Sequence, residues 1–434
     1  MRTGCASPRG FGGNGNARAA RRGCTGDQAN SYVGAPGVAR VLALSRPTVT
    51  VIGAGIIGLA AAYHLRRAGA QVTVVDRDPE GDKASLGNAG AIAVTEVVPA
   101  SSPGLWWRVP GWMLDPLGPL SVRPMHAPKL IPWLIRFARS STPQETERIS
   151  LALAALNARV YEDLIPLLED TGSASELRRD GAMSVYETEE GYARDAAEWA
   201  SKWTRGVVAE EISGAEARHL EPALGPRVCR AVLTPQWSHI ADPKRLVDGI
   251  REWLLRSGIV LRRGEVRCID PSPNHASLIF EGGERVSAEH VLIAAGAWSG
   301  LLARRLGDKV LLESERGYNS TLPDPGIVLN RPLVFPERKF VATPLSCGLR
   351  IGGAAEFGGL NAPANFKRSR ALVELARRYL PGLRSQGGTN WAGHRPATPD
   401  SLPVIGASPC NPRVFYAFGH GHLGLTQAAT TGRL

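Results

Sequence analysis

Three glycines and one acid carry the first chemistry legible in the chain. Gly53-Ala54-Gly55-Ile56-Ile57-Gly58 follows a β-branched run, Thr48–Ile52, and opens an alanine- and leucine-rich segment that ends near Gly69. A second apolar run, Gln71–Val75, leads to Asp76 and Arg77. The order strand, glycine turn, helix, strand, acid has a physical reading. Gly53 permits the tight turn, Gly55 lets backbone approach a pyrophosphate, and Gly58 lets helix and strand pack closely. The helix N-terminus then offers free N–H groups and a positive dipole end to phosphate oxygens. Asp76 lies 23 residues beyond Gly53, a spacing that suits an acid on ribose hydroxyls and disfavours a 2′-phosphate. The reading is a dinucleotide site, with flavin and nicotinamide cofactors both open at this point.

The elements that must position this site mix helices and strands without a steady repeat. Helical periodicity fills Glu145–Asp170 and Pro243–Arg256; strand patterns occur at Ala182–Glu187, Gly258–Arg263, Lys339–Pro344 and Gly348–Gly352. That mixture predicts α+β insertions in an α/β core. At 434 residues, with 43% hydrophobic and 21% charged residues, the chain can build two joined domains with a sizeable core. Net charge is +11, but residues 1–46 hold seven arginines and one acid, so the basic balance reports mostly that segment. The folded part lacks a basic stripe with interleaved aromatics, and no nucleic-acid partner is expected. Residues 1–46 read as a disordered basic extension, an upstream extension in preference to a transit peptide. The six cysteines show no CxxC or metal spacing, which predicts free thiols and no metal site. The apolar run near Val49–Ala62 is too short and glycine-broken to span a bilayer. Leu105–Phe137 instead mixes Trp106, Trp107, Trp112 and Trp133 with Arg108, Arg123, Lys129 and Arg136. Such a mixture suits a membrane interface or a proline-broken loop packing on a substrate domain. The expected location is cytoplasmic, with peripheral contact at the inner face of the cytoplasmic membrane open.

Further stretches narrow the cofactor. They are Ala84-Ser85-Leu86-Gly87-Asn88-Ala89-Gly90, Val291–Ser299 with Ala295, Gly296 and Trp298, and a C-terminal block. The block runs Gly393-His394-Arg395-Pro396, Thr398-Pro399-Asp400, Leu402–Gly406, then Gly419-His420-Gly421-His422-Leu423-Gly424-Leu425-Thr426. At these residues the chain resembles the D-amino-acid dehydrogenase (small subunit) group, within the D-amino-acid oxidase, glycine oxidase and sarcosine oxidase superfamily. The resemblance runs from about Val49 to the end. Asp115–Leu120 and Pro132–Leu134 also look like hydroxyproline and D-amino-acid dehydrogenases.

The resemblance implies an α/β fold: a discontinuous Rossmann-like FAD-binding domain with an inserted α+β substrate domain on a mixed β-sheet. The expected segments are 47–105, 225–315 and 390–434 for FAD, and 106–224 and 316–389 for substrate. It implies non-covalent FAD beside the Gly53–Gly58 turn, Asp76 and Arg77. Ser85, Asn88, Ala89 and Gly90 would pass the pyrophosphate and flavin. Val266 would meet the adenine, and Ala295, Gly296 and Trp298 would close over it. Gly419 through Thr426 would present the last helix to the flavin's pyrimidine end, where a positive dipole favours the reduced ring. The implied reaction is hydride transfer from a small amino acid to flavin N5, giving an imine and then a 2-oxo acid or a cyclic imine. Arg395 would clamp the substrate carboxylate, with a fold-stabilising ion pair as the other reading. Tyr318 would touch the carboxylate or simply pack; His239 would line the pocket or sit as a surface histidine. No catalytic base is assigned. Relatives continue the final helix past Gly432-Arg433-Leu434, so a shortened helix is expected. The implied acceptor is a quinone or an electron-transfer partner. A glycine- or sarcosine-type oxidase and a non-catalytic FAD-binding subunit are the alternatives.

Overall fold

The structure is a computed structural model that describes residues 46–101 and 118–434. Residues 1–45 of the basic extension and the tryptophans at 106, 107 and 112 fall outside the described residues.

The β-branched runs build a six-stranded sheet. Its order is Val260–Arg263, Gln71–Asp76, Thr48–Ile52, His290–Ile293, Val414–Phe418 and Val404–Ala407. The first five strands are parallel and the last is an antiparallel edge. A parallel sheet must be covered on both faces, and the central strands accordingly bury Val51, Ile52, Val74, Val75, Val291 and Ile293. On one face lie three helices: Ile56–Arg67, Pro243–Arg256 and the C-terminal Gly424–Arg433. They share a core of Leu59, Tyr63, Leu246, Ile250, Leu254 and Ala428 with Val51 and Val74. On the other face a small antiparallel sheet, Val266–Pro271 to Arg285–Ala288, and the helix Ser299–Leu306 bury Val291, Ile293, Leu278 and Phe280. Each such aliphatic side chain contributes about 1.5–3 kcal/mol when fully buried. The C-terminal helix lies so close to the first that a Cβ on Gly432 would stand 2.7 Å from the Ala60 carbonyl carbon.

The second body is a nine-stranded mixed sheet. Thr389–Ala397, Glu313–Leu322, Gly348–Phe357 and Phe340–Leu345 run antiparallel along one half. Leu333–Phe335, Ala182–Tyr186, Arg230–Thr234 and Glu210–Ser213 continue the other half, and Leu120–Val122 joins Gly348–Phe357 from the side. Its core stacks Phe335 on Phe340 at 4.1 Å and adds Tyr318, Leu372 and Tyr379 beneath the helix Lys367–Ala376. The helix Ala127–Arg139 packs Leu130, Trp133 and Phe137 on Phe357 and Ala397, and Trp133 Nε1 donates to the Ala397 carbonyl at 3.0 Å.

Two details depart from the sequence reading. The helix expected over Glu145–Asp170 is two, Pro143–Asn157 and Val160–Asp170. The break follows Asn157, a buried amide that donates to the carbonyls of Val94 and Glu96. Arg230–Thr234, expected within an FAD segment, pairs instead with Ala182–Tyr186 in the larger sheet, and Thr389–Ala397 forms that sheet's other flank.

Candidate active site

The glycine turn behaves as its spacing demands, each glycine for a different reason. Gly53 has φ +116, and a Cβ there would stand 2.4 Å from the Ala294 carbonyl oxygen. A Cβ on Gly58 would reach 1.9 Å from the Gly53 oxygen, so helix and turn touch through it. A Cβ on Gly55 would meet only Ser85 Oγ, at 3.4 Å. Gly55 is therefore needed for space on the open side of the turn. The helix it opens has no acid in its first turn and no capping side chain of its own. Ser85 Oγ accepts from Ile56 N at 2.9 Å and covers one of its free donors. Asp76 braces this turn: Oδ2 accepts from Ala54 N at 2.7 Å, Oδ1 from Asp78 N at 2.8 Å, and Lys83 Nζ lies 3.3 Å away.

The turn opens on a cavity of about 1310 Å³ that lies between the two large sheets. Gly53, Gly55, Ile56, Ile57, Asp76 and Arg77 line one end. Val266, Ala295, Gly296 and Trp298 line the same end from the small sheet and the 296–298 turn, where Arg77 lies 4.0 Å over the Trp298 ring. Ser85, Asn88 and Ala89 form its middle, and His420 through Leu425 its far wall. Gly58, Gly90, Gly419 and Thr426 stand just behind this surface. Gly90 has φ +73, and a Cβ there would press on the Ile240 carbonyl at 2.7 Å. Thr426 Oγ1 accepts from Ala93 N at 3.0 Å and ties the last helix to the loop.

The loop 84–90 is held from the larger sheet by side chains that the sequence reading did not single out. Asn319 Nδ2 donates to the Gly87 carbonyl at 2.6 Å, and Arg350 Nη1 to the Asn88 carbonyl at 2.5 Å. Trp391 fills the space over Gly87 and donates from Nε1 to Asp82 at 2.6 Å. The signal was strand alternation: Glu315, Gly317 and Asn319 share one face of Glu313–Leu322, and that face was not read against the 391–395 strand.

Arg395 lies on this face. Its Nη1 donates to Glu315 Oε1 at 2.8 Å and to the Ala354 carbonyl at 3.3 Å. The guanidinium rests over Gly317, where a Cβ would stand 2.3 Å from Nη2. Arg395 and Glu315 both line the cavity, with 28% and 25% of their side chains exposed. Tyr318 borders the cavity too, but its side chain alternates to the opposite face from Glu315: it is 1% exposed, its hydroxyl donates to Glu356 and accepts from Asn365 N, and it packs in the larger core. His239 is neither a pocket nor a surface residue. It is 4% exposed in the strand Ser238–Ile240, between Ala91–Ile92 and Leu177–Arg178, and is not among the residues lining the cavity.

Burial tunes the histidines of the site. It drives His420, 3% exposed with Nε2 on Thr431 Oγ1 at 2.9 Å, down to about 3. It lowers His394 to about 4, helped by the cations Arg316 and Arg77. Both rings are neutral at physiological pH. His422 is exposed to the cavity. On the far wall Lys202, 4% exposed, bridges Glu96 and Glu198 at 3.0 Å each. Burial disfavours its charge, but the two carboxylates hold the ammonium above its ordinary range. The sequence reading missed this trio because Glu96 lies 106 positions from Lys202, although Glu198 is one turn away on the same helix. Among the described residues no group of three or more His, Cys, Asp or Glu could hold a metal ion.

Comparison with known proteins decides the family. The profile described as DAO, FAD dependent oxidoreductase, matches residues 48–434. The chain belongs to the DAO family of FAD-dependent oxidoreductases. It is 34% identical over 394 residues to a protein named D-amino-acid oxidase from Bradyrhizobium diazoefficiens, covering 89% of this chain and 93% of that one. It is 31% identical to a D-amino acid dehydrogenase from Dechloromonas aromatica, covering 88% and 94%. Among solved structures, the glycine oxidase of Geobacillus kaustophilus shares the fold at TM-score 0.67 and 22% identity, covering 88% and 92%. The site of this DAO-family chain fits FAD on its own geometry. An open Gly55, a helix N-terminus with uncompensated donors, and a cavity reaching from Val266 to the uncapped start of the last helix form one continuous cradle.

Proposed function

We propose that the chain oxidises the C–N bond of a small amino acid, a D-amino acid first, to an imine that water converts to a 2-oxo acid. The observation that carries this reading is Arg395, a fixed cation on the cavity face with Nη2 turned to no other group among the described residues. A small zwitterion has one strong handle for a protein, its carboxylate, and a guanidinium meets it with defined geometry. FAD, when bound, supplies the acceptor for the substrate's Cα hydride. The chain's own residues bind, orient and exclude water. Leu130, Trp133, Leu134 and Phe137 line the cavity, and such apolar walls strengthen a charge pair formed beside them. The relatives named for D-amino acids favour that substrate class. The six-stranded sheet and its helices serve as the FAD-binding domain and the nine-stranded sheet as the substrate domain. The FAD is read as held without a covalent bond; none of the described cysteines lines the cavity, and its histidines are His394, His420 and His422. Purified protein given D-alanine and an artificial electron acceptor should release pyruvate and ammonia in equal amounts as the acceptor is reduced. No reduction of the acceptor with D-amino acids, hydroxyproline isomers, glycine or sarcosine would overturn the reading.

Electrons then pass to a membrane quinone or a protein carrier. The helix Ala127–Arg139, which lines the cavity, exposes Ile131 (52%) and Ile135 (50%) beside Lys129, Arg136 and Arg139. An apolar pair ringed by cations suits the surface of an anionic bilayer. Among the described residues no helix is long and apolar enough to cross one. Sedimentation with phosphatidylglycerol vesicles, lost in Ile131→Asp/Ile135→Asp, is the expected result; equal recovery of both proteins in the supernatant would contradict it.

A further inference from the structure

We propose that Glu315 is a second substrate contact: it receives the substrate's ammonium group while Arg395 receives the carboxylate, so the site selects amino acids over carboxylates that lack the amine. The inference rests on the reading of Arg395 given above.

Glu315 and Arg395 are opposed residues of two antiparallel strands, and their charged ends meet at 2.8 Å on the cavity surface. Arg395 Nη1 is engaged twice, by Glu315 Oε1 and by the Ala354 carbonyl. Gly317 leaves the guanidinium lying along the strand. Nη2 of Arg395 and Oε2 of Glu315 carry no hydrogen bond among the described residues. The cavity therefore presents a free donor edge and a free acceptor oxygen side by side.

A lone carboxylate gains little from such a pair, because the attraction of Arg395 is offset by the repulsion of Glu315 at nearly the same distance. An α-amino acid carries its two charges on adjacent atoms of one carbon. It can set its carboxylate on Nη2 and its ammonium on Oε2, making two charge-assisted hydrogen bonds and leaving no charge unpaired. Discrimination then comes from repulsion of the wrong ligand as much as from attraction of the right one. Two contacts also fix the rotation of the Cα–H bond about the carboxylate axis, which one contact leaves loose.

A different role for Glu315, merely orienting Arg395, makes an opposite forecast for one ligand. Glu315→Gln keeps the shape and removes the charge. If Glu315 binds the ammonium, the variant holoenzyme should bind D-alanine more weakly, on the order of 10- to 100-fold for loss of one hydrogen bond between charged groups. It should bind propionate, which lacks the amine, more tightly than the native enzyme does. Glu315→Asp, which keeps the charge, should keep the native order of the two ligands. If Glu315 only orients Arg395, Glu315→Gln weakens both ligands together, and that parallel loss, or no change in either, overturns the proposal. Both ligands are read as perturbations of the oxidised flavin spectrum as well as by KM and inhibition constant. A protein that bound them in the expected opposite order but oxidised no amino acid would sink the functional reading alone.

Discussion

Arg395→Met separates a substrate clamp from a fold-stabilising ion pair. The side chain is 28% exposed, so its charge is partly desolvated before substrate arrives. Truncating one partner of a buried, hydrogen-bonded charge pair costs about 2–5 kcal/mol. Partial exposure places the loss here near the lower end, about 2–3 kcal/mol, or roughly 30- to 150-fold in kcat/KM. Arg395→Lys should recover only part, since an ammonium cannot keep Glu315 and a carboxylate on separate nitrogens of one plane. Methionine also leaves Glu315 without its partner, but that carboxylate is a quarter exposed and stays hydrated, so Tm should fall only slightly. The assay is turnover per bound flavin, with flavin counted after denaturation. A variant with lowered Tm and flavin content but near-normal turnover per flavin would refute the clamp and leave Arg395 a structural ion pair.

Three further outcomes follow from the same geometry. Gly55→Val should abolish flavin binding while the apoprotein melts as native apoprotein does, because only Ser85 Oγ lies near the new side chain, whereas Gly58→Val, aimed at the Gly53 oxygen 1.9 Å away, should lower the melting temperature as well; flavin retained by Gly55→Val would contradict the cradle. Acidity should unfold the protein through His64, His394 and His420, whose folded values of about 4, 4 and 3 lie below the ordinary 6.5. The unfolded chain binds protons that the folded chain refuses, so stability is lost as pH falls from about 6.5 toward 4 for the first two and toward 3 for His420. Melting temperatures measured at pH 7.5, 6.5 and 5.5 should drop with increasing steepness, and a flat profile would show that these rings are not buried neutral. Acid precipitation should leave the FAD in the supernatant; flavin carried down with the polypeptide would show a covalent link.

What the sequence disclosed and what it hid divide along contact range. The Gly53–Gly58 turn and Asp76 are local: strand, turn, helix and acid are contiguous, and steric rules fix what each glycine is for. The family resemblance carried the reading across the gaps to Val266, Trp298 and the 419–426 segment, all of which lie on or just behind one cavity surface. What depended on register was not legible. Tyr318 and Glu315 are three residues apart in one strand and so turn their side chains to opposite faces, and nothing in the chain said which of the two would be exposed and which packed in the core. Glu315 opposes Arg395 only because two antiparallel strands align, and Asn319 reaches the Gly87 carbonyl across 232 positions only because the loop 84–90 packs against that strand. His239 failed for the same reason: its strand is the centre of a small sheet made from three distant segments, which buries it. The carboxylates on Lys202 come from Glu96, 106 positions away, and from Glu198 on its own helix.

This cavity is proposed to hold an amino acid where its Cα–H can reduce FAD. Anaerobic titration of the purified holoprotein with D-amino acids, hydroxyproline isomers, glycine and sarcosine tests it without any assumption about the electron acceptor. At least one small D-amino acid should bleach the oxidised flavin band, with Arg395→Met bleaching far more slowly at equal flavin content. A flavin that stays oxidised with every amine offered, yet is reduced promptly by dithionite, would contradict it.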